Sequence, residues 1–110
     1  MSSSKYRDMR IILMFDIPTK NESNRKVYSK FRKFLINEGY IMIQYSVYSR
    51  FCRNHAAVRK HCNKIEKNKP RVGEVRIMVV TEKQYLSTYI INGDFNYHER
   101  ILSKNPIVEV

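Results

Sequence analysis

At 110 residues the chain is long enough for one domain with a single core and too short to divide into two. Hydrophobic residues make up 43%, with 8 Tyr and 5 Phe, which excludes a disordered chain, and no apolar run reaches the length of a membrane span. Lys and Arg number 21 against 10 Asp and Glu, and the resulting net charge of +11 points to a polyanionic partner. The polar, Ser-rich start from Met1 to Lys5 lacks the apolar core of a secretory signal. Cys52 precedes and Cys62 falls within one predicted helix, too far apart along its axis to bridge. A reduced, cytoplasmic chain with no membrane partner is expected.

The first predicted element is a strand ending at Asp16. Ile11, Leu13 and Phe15 alternate with Ile12 and Met14, so both faces are apolar as in a central strand, and Pro18 stops the ladder. Asp16 emerges at the strand end, where chemistry is often placed; a carboxylate there also caps turns through backbone hydrogen bonds, and the sequence leaves both roles open. Thr19-x-x-Glu22 has the spacing of a capping box, which predicts a helix beginning at or just after it and closing at Gly39. Val27, Phe31, Phe34 and Leu35 form its apolar stripe, while Arg25, Lys26, Arg32 and Lys33 gather on the opposite face.

Residues 40–50 are strand-like throughout but exceed the usual strand length, so a reversal is expected between Gln44 and Ser46. Asn54 can cap a second helix reaching Asn68, with Ala57, Val58, Cys62 and Ile65 buried and Lys69-Pro70 ending it. Around this helix Arg50, Arg53, Arg59, Lys60, Lys64, Lys67, Lys69 and Arg71 face only Glu66 as a counter-charge, which reads as a phosphate-facing surface. Gly73 to Thr81 alternates as a strand, with Val75, Ile77 and Val79 on one face and Arg76, Met78 and Val80 on the other. After a turn around Glu82 to Gln84, Tyr85 to Ile91 is a further strand candidate, and Asn92-Gly93 signals a turn. Residues 106–110 are β-prone and suit addition to a partner's sheet edge.

The order β-α-β-β-α-β predicts an α+β, ferredoxin-like sandwich in which two helices cover one sheet face and something else covers the other. Residues 1–110 form one domain, with a core over about 6–92 and a C-terminal extension over 93–110 that adds a strand. An RNA-recognition module shares this order, but the aromatic strand motif that stacks bases is missing from the later strands. Zinc is not expected from Cys52-x-x-His55 and His61-Cys62, because adjacent helical positions point about 100° apart and the spacing fits no finger. With 3 Gly in the chain there is no phosphate-cradling glycine loop, and no Ser or Cys nucleophile with a partnered His can be argued.

Phe15-Asp16-Ile17-Pro18, followed after a basic helix by Gly39-Tyr40 and then Gln44-Tyr45-Ser46-Val47-Tyr48, resembles CRISPR-associated protein two, the small subunit of the spacer-acquisition module. The likeness covers nearly the whole chain, and the Asp-Ile-Pro-Thr start is similar to members from systems with one large effector nuclease. The resemblance implies a ferredoxin-like homodimer in which Asp16 is the family aspartate, facing its symmetry mate and holding Mg²⁺ between the chains. One carboxylate from each of two chains suits a hard, octahedral cation that keeps several waters. Tyr6, Tyr45 and Ser46 lie where they could position water or phosphate, but ordinary strand packing explains them equally. Two functions follow. One is a non-catalytic scaffold that bridges copies of the CRISPR-associated integrase (protein one of the adaptation module) and holds duplex prespacer DNA. Its nucleic-acid contacts would be Arg25, Lys26, Arg32, Lys33, Arg50, Arg53, Arg59 and Lys60. The other is a magnesium-dependent endonuclease cutting RNA or DNA with Asp16 as its catalytic and metal-holding residue.

Overall fold

Strand β1, Met9–Asp16, buries Met9, Ile11, Leu13 and Phe15 and leaves Ile12 and Met14 half-buried and Asp16 exposed. This is the period-two pattern that its sequence predicts. The computed structural model describes residues 8–92; Tyr6, Gly93 and the β-prone piece at 106–110 lie outside them. β1 sits between β3 and β4 in a four-stranded antiparallel sheet of order β2-β3-β1-β4, with β2 spanning Ile41–Gln44, β3 Val47–Cys52 and β4 Glu74–Thr81. Residues 40–50 do break in two: Tyr45 and Ser46 form the turn, Ser46 takes φ 63°, and the β2–β3 ladder shifts register between Met42 and Gln44. Together with the two long helices this order is the ferredoxin-like arrangement.

Helix α1, Glu22–Asn37, starts one residue after Asn21, whose side chain accepts the Asn24 N–H at 2.8 Å. Thr19 therefore does not form the expected capping box; its carbonyl, with that of Lys20, accepts instead from Arg25. The helix ends in a Schellman arrangement in which Gly39 N–H bonds to Ile36 and Tyr40 N–H to Leu35. Gly39 takes φ +91°, which favours a residue without Cβ. Asn54 caps α2, His55–Lys67, by accepting the Ala57 N–H at 2.8 Å, as its position predicts. Both helices lie on the Ile11, Leu13 and Phe15 face. Phe31 and Leu35 of α1 and Val58 and Ile65 of α2 complete the core, each worth roughly 1.5–3 kcal/mol when buried. The Phe15 ring meets Phe31 edge-on at 5.2 Å and stacks with Tyr48 at 5.8 Å. His61 joins the buried side of α2 against Tyr40, with ring centroids 6.2 Å apart, and burial holds its pKa below the ordinary imidazole value.

Downstream of β4 the expected strand over Tyr85 to Ile91 is not formed. Residues Glu82–Leu86 are a short helix, α3, and the residues that follow it to 92 hold no strand. Thr81 and Gln84 make a reciprocal capping box, Gln84 N–H to Thr81 Oγ1 at 3.0 Å and Thr81 N–H to Gln84 Oε1 at 2.9 Å. This helix lays Tyr85 and Glu82 over one end of the sheet face opposite α1 and α2. There Arg10, 2% exposed, gives Nε and Nη2 to the Glu82 carboxylate at 2.8 and 2.6 Å. Its guanidinium also lies 4.2 Å from the Tyr85 ring centre. The rest of that face stays open, with Ile12 and Met14 half-buried and Met78 half exposed.

A strand-end carboxylate and a cationic helix layer

Asp16 ends β1 with an exposed side chain that makes no hydrogen bond or ion pair among the described residues. Its neighbours are set by register. On one side Asp16 pairs directly with Glu74 at the start of β4, so two carboxylates share one face of the sheet edge. Glu74 Oε1 lies 3.5 Å from Arg76 Nη2, an exposed pair. On the other side the Phe15 N–H donates to the Ser46 carbonyl at 3.1 Å, which anchors the Tyr45–Ser46 turn next to the strand end. Tyr45 is exposed and stacks on Tyr28 at 6.3 Å, and the neighbouring Tyr28 hydroxyl pushes its hydroxyl pKa up. The α2–β4 loop closes the third side. Gly73, φ +87°, packs so tightly that a Cβ there would be driven into the Asp16 carbonyl oxygen. Glu74 was not foreseen as a neighbour of Asp16, because pairing across strands 58 positions apart is visible only in the register.

The basic residues divide by what they touch. Arg25, Lys26 and Lys33 line one side of α1, joined by Lys30, which helical i,i+4 spacing from Lys26 would have indicated. Arg32 lies one turn beyond Tyr28, on the side of α1 that faces the Tyr45 turn. Arg53, Arg59 and Lys60 are exposed on and before α2. Arg25 has main-chain partners in the β1–α1 loop. Arg50 is half-buried and gives Nε to the Glu38 carbonyl at 2.8 Å and Nη1 to the Phe51 carbonyl at 2.6 Å. It thus completes the C-terminus of α1, where a cation also meets the negative end of the helix dipole. Lys64 pairs with Glu38 at 2.9 Å, and that hydrogen bond holds the Glu38 carboxyl below its usual range. Lys26, Arg32, Lys33, Arg53, Arg59 and Lys60 have no ion-pair partner among the described residues.

Within one chain the described residues hold no group of three His, Cys, Asp or Glu arranged to bind a metal, and no helix long and apolar enough to cross a membrane. Cys52 and Cys62 are free thiols, raised in pKa by burial.

The family model described as CRISPR associated protein Cas2 matches residues 9–88, a span that holds Asp16 and every basic candidate. A protein of Streptococcus mutans named CRISPR-associated endoribonuclease Cas2 is 45% identical over 86 residues, covering 78% of this chain and 79% of its own length. Its namesake in Treponema denticola is 48% identical over 86 residues, covering 78% of this chain and 85% of its own. A solved structure described as a crystal structure of cas2 superposes with a TM-score of 0.56 at 14% identity, over 82% of this chain and 92% of that one, and supports the fold alone. With the family model matched across both long helices and all four strands, and relatives this similar over most of their length, the chain belongs to the CRISPR-associated Cas2 family.

Proposed function

We propose that the protein is a homodimeric scaffold of CRISPR spacer acquisition that bridges copies of the integrase and holds the duplex body of prespacer DNA. The observation that carries this reading is the outward-facing set of unpaired cations on the helix layer, above all Arg59 and Lys60 with Lys26 and Lys33. Arrays of this kind neutralise phosphates and read no sequence. Affinity for duplex DNA is expected to be sequence-independent, and charge reversal in Arg59→Glu/Lys60→Glu is expected to weaken it about ten-fold or more and to lower the salt slope by about two. Fluorescence anisotropy across a salt series measures both; undiminished affinity, or strong preference for one sequence, sinks the phosphate-surface reading.

The dimer is supported by the open sheet face. Met78 is 51% exposed, beside half-buried Ile12, Met14 and Val80, an apolar surface that a second copy would cover. Light scattering is expected to give a mass near twice 13.2 kDa, and a stable monomer at micromolar concentration would remove the scaffold geometry.

A second reading, a magnesium-dependent endonuclease, rests on Asp16. An exposed carboxylate without a partner among the described residues, beside Glu74, is the donor type that Mg²⁺ prefers. One chain supplies too few ligands, so the ion would be held by Asp16 of each of two copies. When bound, it would neutralise phosphate charge and acidify a water. The relatives' name of endoribonuclease favours a ribonucleic substrate for this activity. Asp16 itself would contribute charge and placement; the Tyr45–Ser46 turn flanks the position where a phosphate would lie.

A further inference from the structure

A groove of about 480 Å³ runs between α1 and the C-terminal end of α2. Lys26 and Lys30 of α1 form one wall, and Lys67, Lys69 and Arg71, from the end of α2 and the loop after it, form the other. The floor is apolar, made of Phe31 and half-buried Phe34, whose rings stack at 6.2 Å. Any two packed helices leave a furrow, and lysines on its rims can simply be solvated. Three features set this one apart. Its cations converge from two segments far apart in sequence, and none of its lining residues is acidic. Lys26, Lys30 and Lys67 have no ion-pair partner among the described residues; Lys69 reaches the exposed Glu66 at 3.0 Å, and Arg71 holds Ser23 Oγ at 2.7 Å. A ring lies at the base of the cationic walls, so that phosphate and an aromatic face can be met at once.

We infer that this groove binds single-stranded nucleic acid, taking backbone phosphates on its lysine walls and a base against Phe34. The inference rests on the nucleic-acid-binding reading above and adds to it a second surface with a different substrate form. Charge complementarity calls for a polyanion, since bringing five cations together is unfavourable until counter-charge arrives. The volume falls in the range of roughly 300–1,000 Å³ typical of small-ligand clefts, enough for one or two nucleotides and too little for a duplex. A cationic track with an aromatic platform is the general device for holding single strands without regard to sequence.

The test is binding of a short labelled oligothymidylate, an oligouridylate and a DNA duplex by fluorescence anisotropy over a salt series. Lys67→Gln/Lys69→Gln is expected to weaken both single strands about ten-fold at low salt and lower the salt slope by about 1.4, while duplex affinity stays within about two-fold. Phe34→Leu, which keeps an apolar floor but removes the ring, is expected to cost about five-fold on single strands alone. Lys20→Gln/Lys83→Gln removes the same charge from exposed positions outside the groove and should leave single-strand binding close to wild type. Unchanged single-strand affinity in the groove variants overturns the inference, as does an equal loss on duplex or an equal loss in the charge control. Each of these can occur while the Arg59 and Lys60 effect on duplex binding holds, so the groove can fail without the scaffold reading failing.

Discussion

Asp16→Asn is expected to abolish any intrinsic cleavage by the protein while leaving the fold, the dimer and DNA binding intact. The amide keeps the size and much of the hydrogen-bonding capacity of the carboxylate but removes the charge that Mg²⁺ needs. Metal-assisted stabilisation is worth several kcal/mol, so the loss should be at least about a hundred-fold. Because the side chain is exposed and without a partner among the described residues, no contact among those residues depends on its charge. Removing a negative charge beside Glu74 should leave DNA affinity equal or slightly higher. Labelled RNA and duplex DNA, incubated with magnesium or with chelator, measure the cleavage. Spacer acquisition with the integrase present separates the two functions: the scaffold reading, which assigns strand transfer to the integrase, expects the variant to support it at close to the wild-type level. A variant that folds, dimerises and binds DNA yet acquires no spacers would show that metal chemistry at Asp16 is required.

The largest effect on stability is expected from Glu82→Ala. Arg10 is buried on a central strand, and the Glu82 carboxylate takes both of its short hydrogen bonds; what remains is Ser49 Oγ at 3.4 Å and the rings of Tyr85 and Phe51. Truncating the acid leaves a guanidinium sealed from water without its counter-charge, a change that typically costs about 3–5 kcal/mol. For a domain of this size that is a fall in Tm on the order of 15 °C, read by thermal denaturation at fixed protein concentration because a dimer's stability depends on it. The double replacement Arg10→Met/Glu82→Leu removes both charges and should recover most of the loss. A single variant that melts within a few degrees of wild type would mean that Arg10 reaches water when Glu82 is gone.

The element order was legible because the apolar periods are clean. Ile11, Leu13 and Phe15 alternate, Phe31 and Leu35 recur at helical spacing, and a run as long as residues 40–50 had to break. Local cap chemistry was the weaker guide. Thr19-x-x-Glu22 and Thr81-x-x-Gln84 have the same spacing, yet only the second is a capping box, since Asn21 outcompetes Thr19 for the role and Arg25 takes the Thr19 carbonyl. The apolar content of Tyr85 to Ile91 suggested a strand; the hydrogen bonds of Thr81 and Gln84 start a helix there instead. Burial of Arg10 could not be read from the sequence, because its partner lies 72 positions away. Asp16 stood out by its place after an apolar run, whereas Glu74 and the groove wall from Lys67 to Arg71 become neighbours of other parts only through register and helix packing.

The tight seat of Gly73 against Asp16 fixes the far end of the α2–β4 loop. Lys69 and Arg71 belong to a tether whose far end is clamped to the first rung of the β1–β4 ladder, the Asp16–Glu74 pair. Placing a side chain at residue 73 has to be absorbed by moving Glu74 away from Asp16, since the Cβ would meet a backbone oxygen. Changes in loop length should therefore fall among the exposed residues before Gly73, where an engineer can alter the cationic loop, while the glycine itself marks the fixed end.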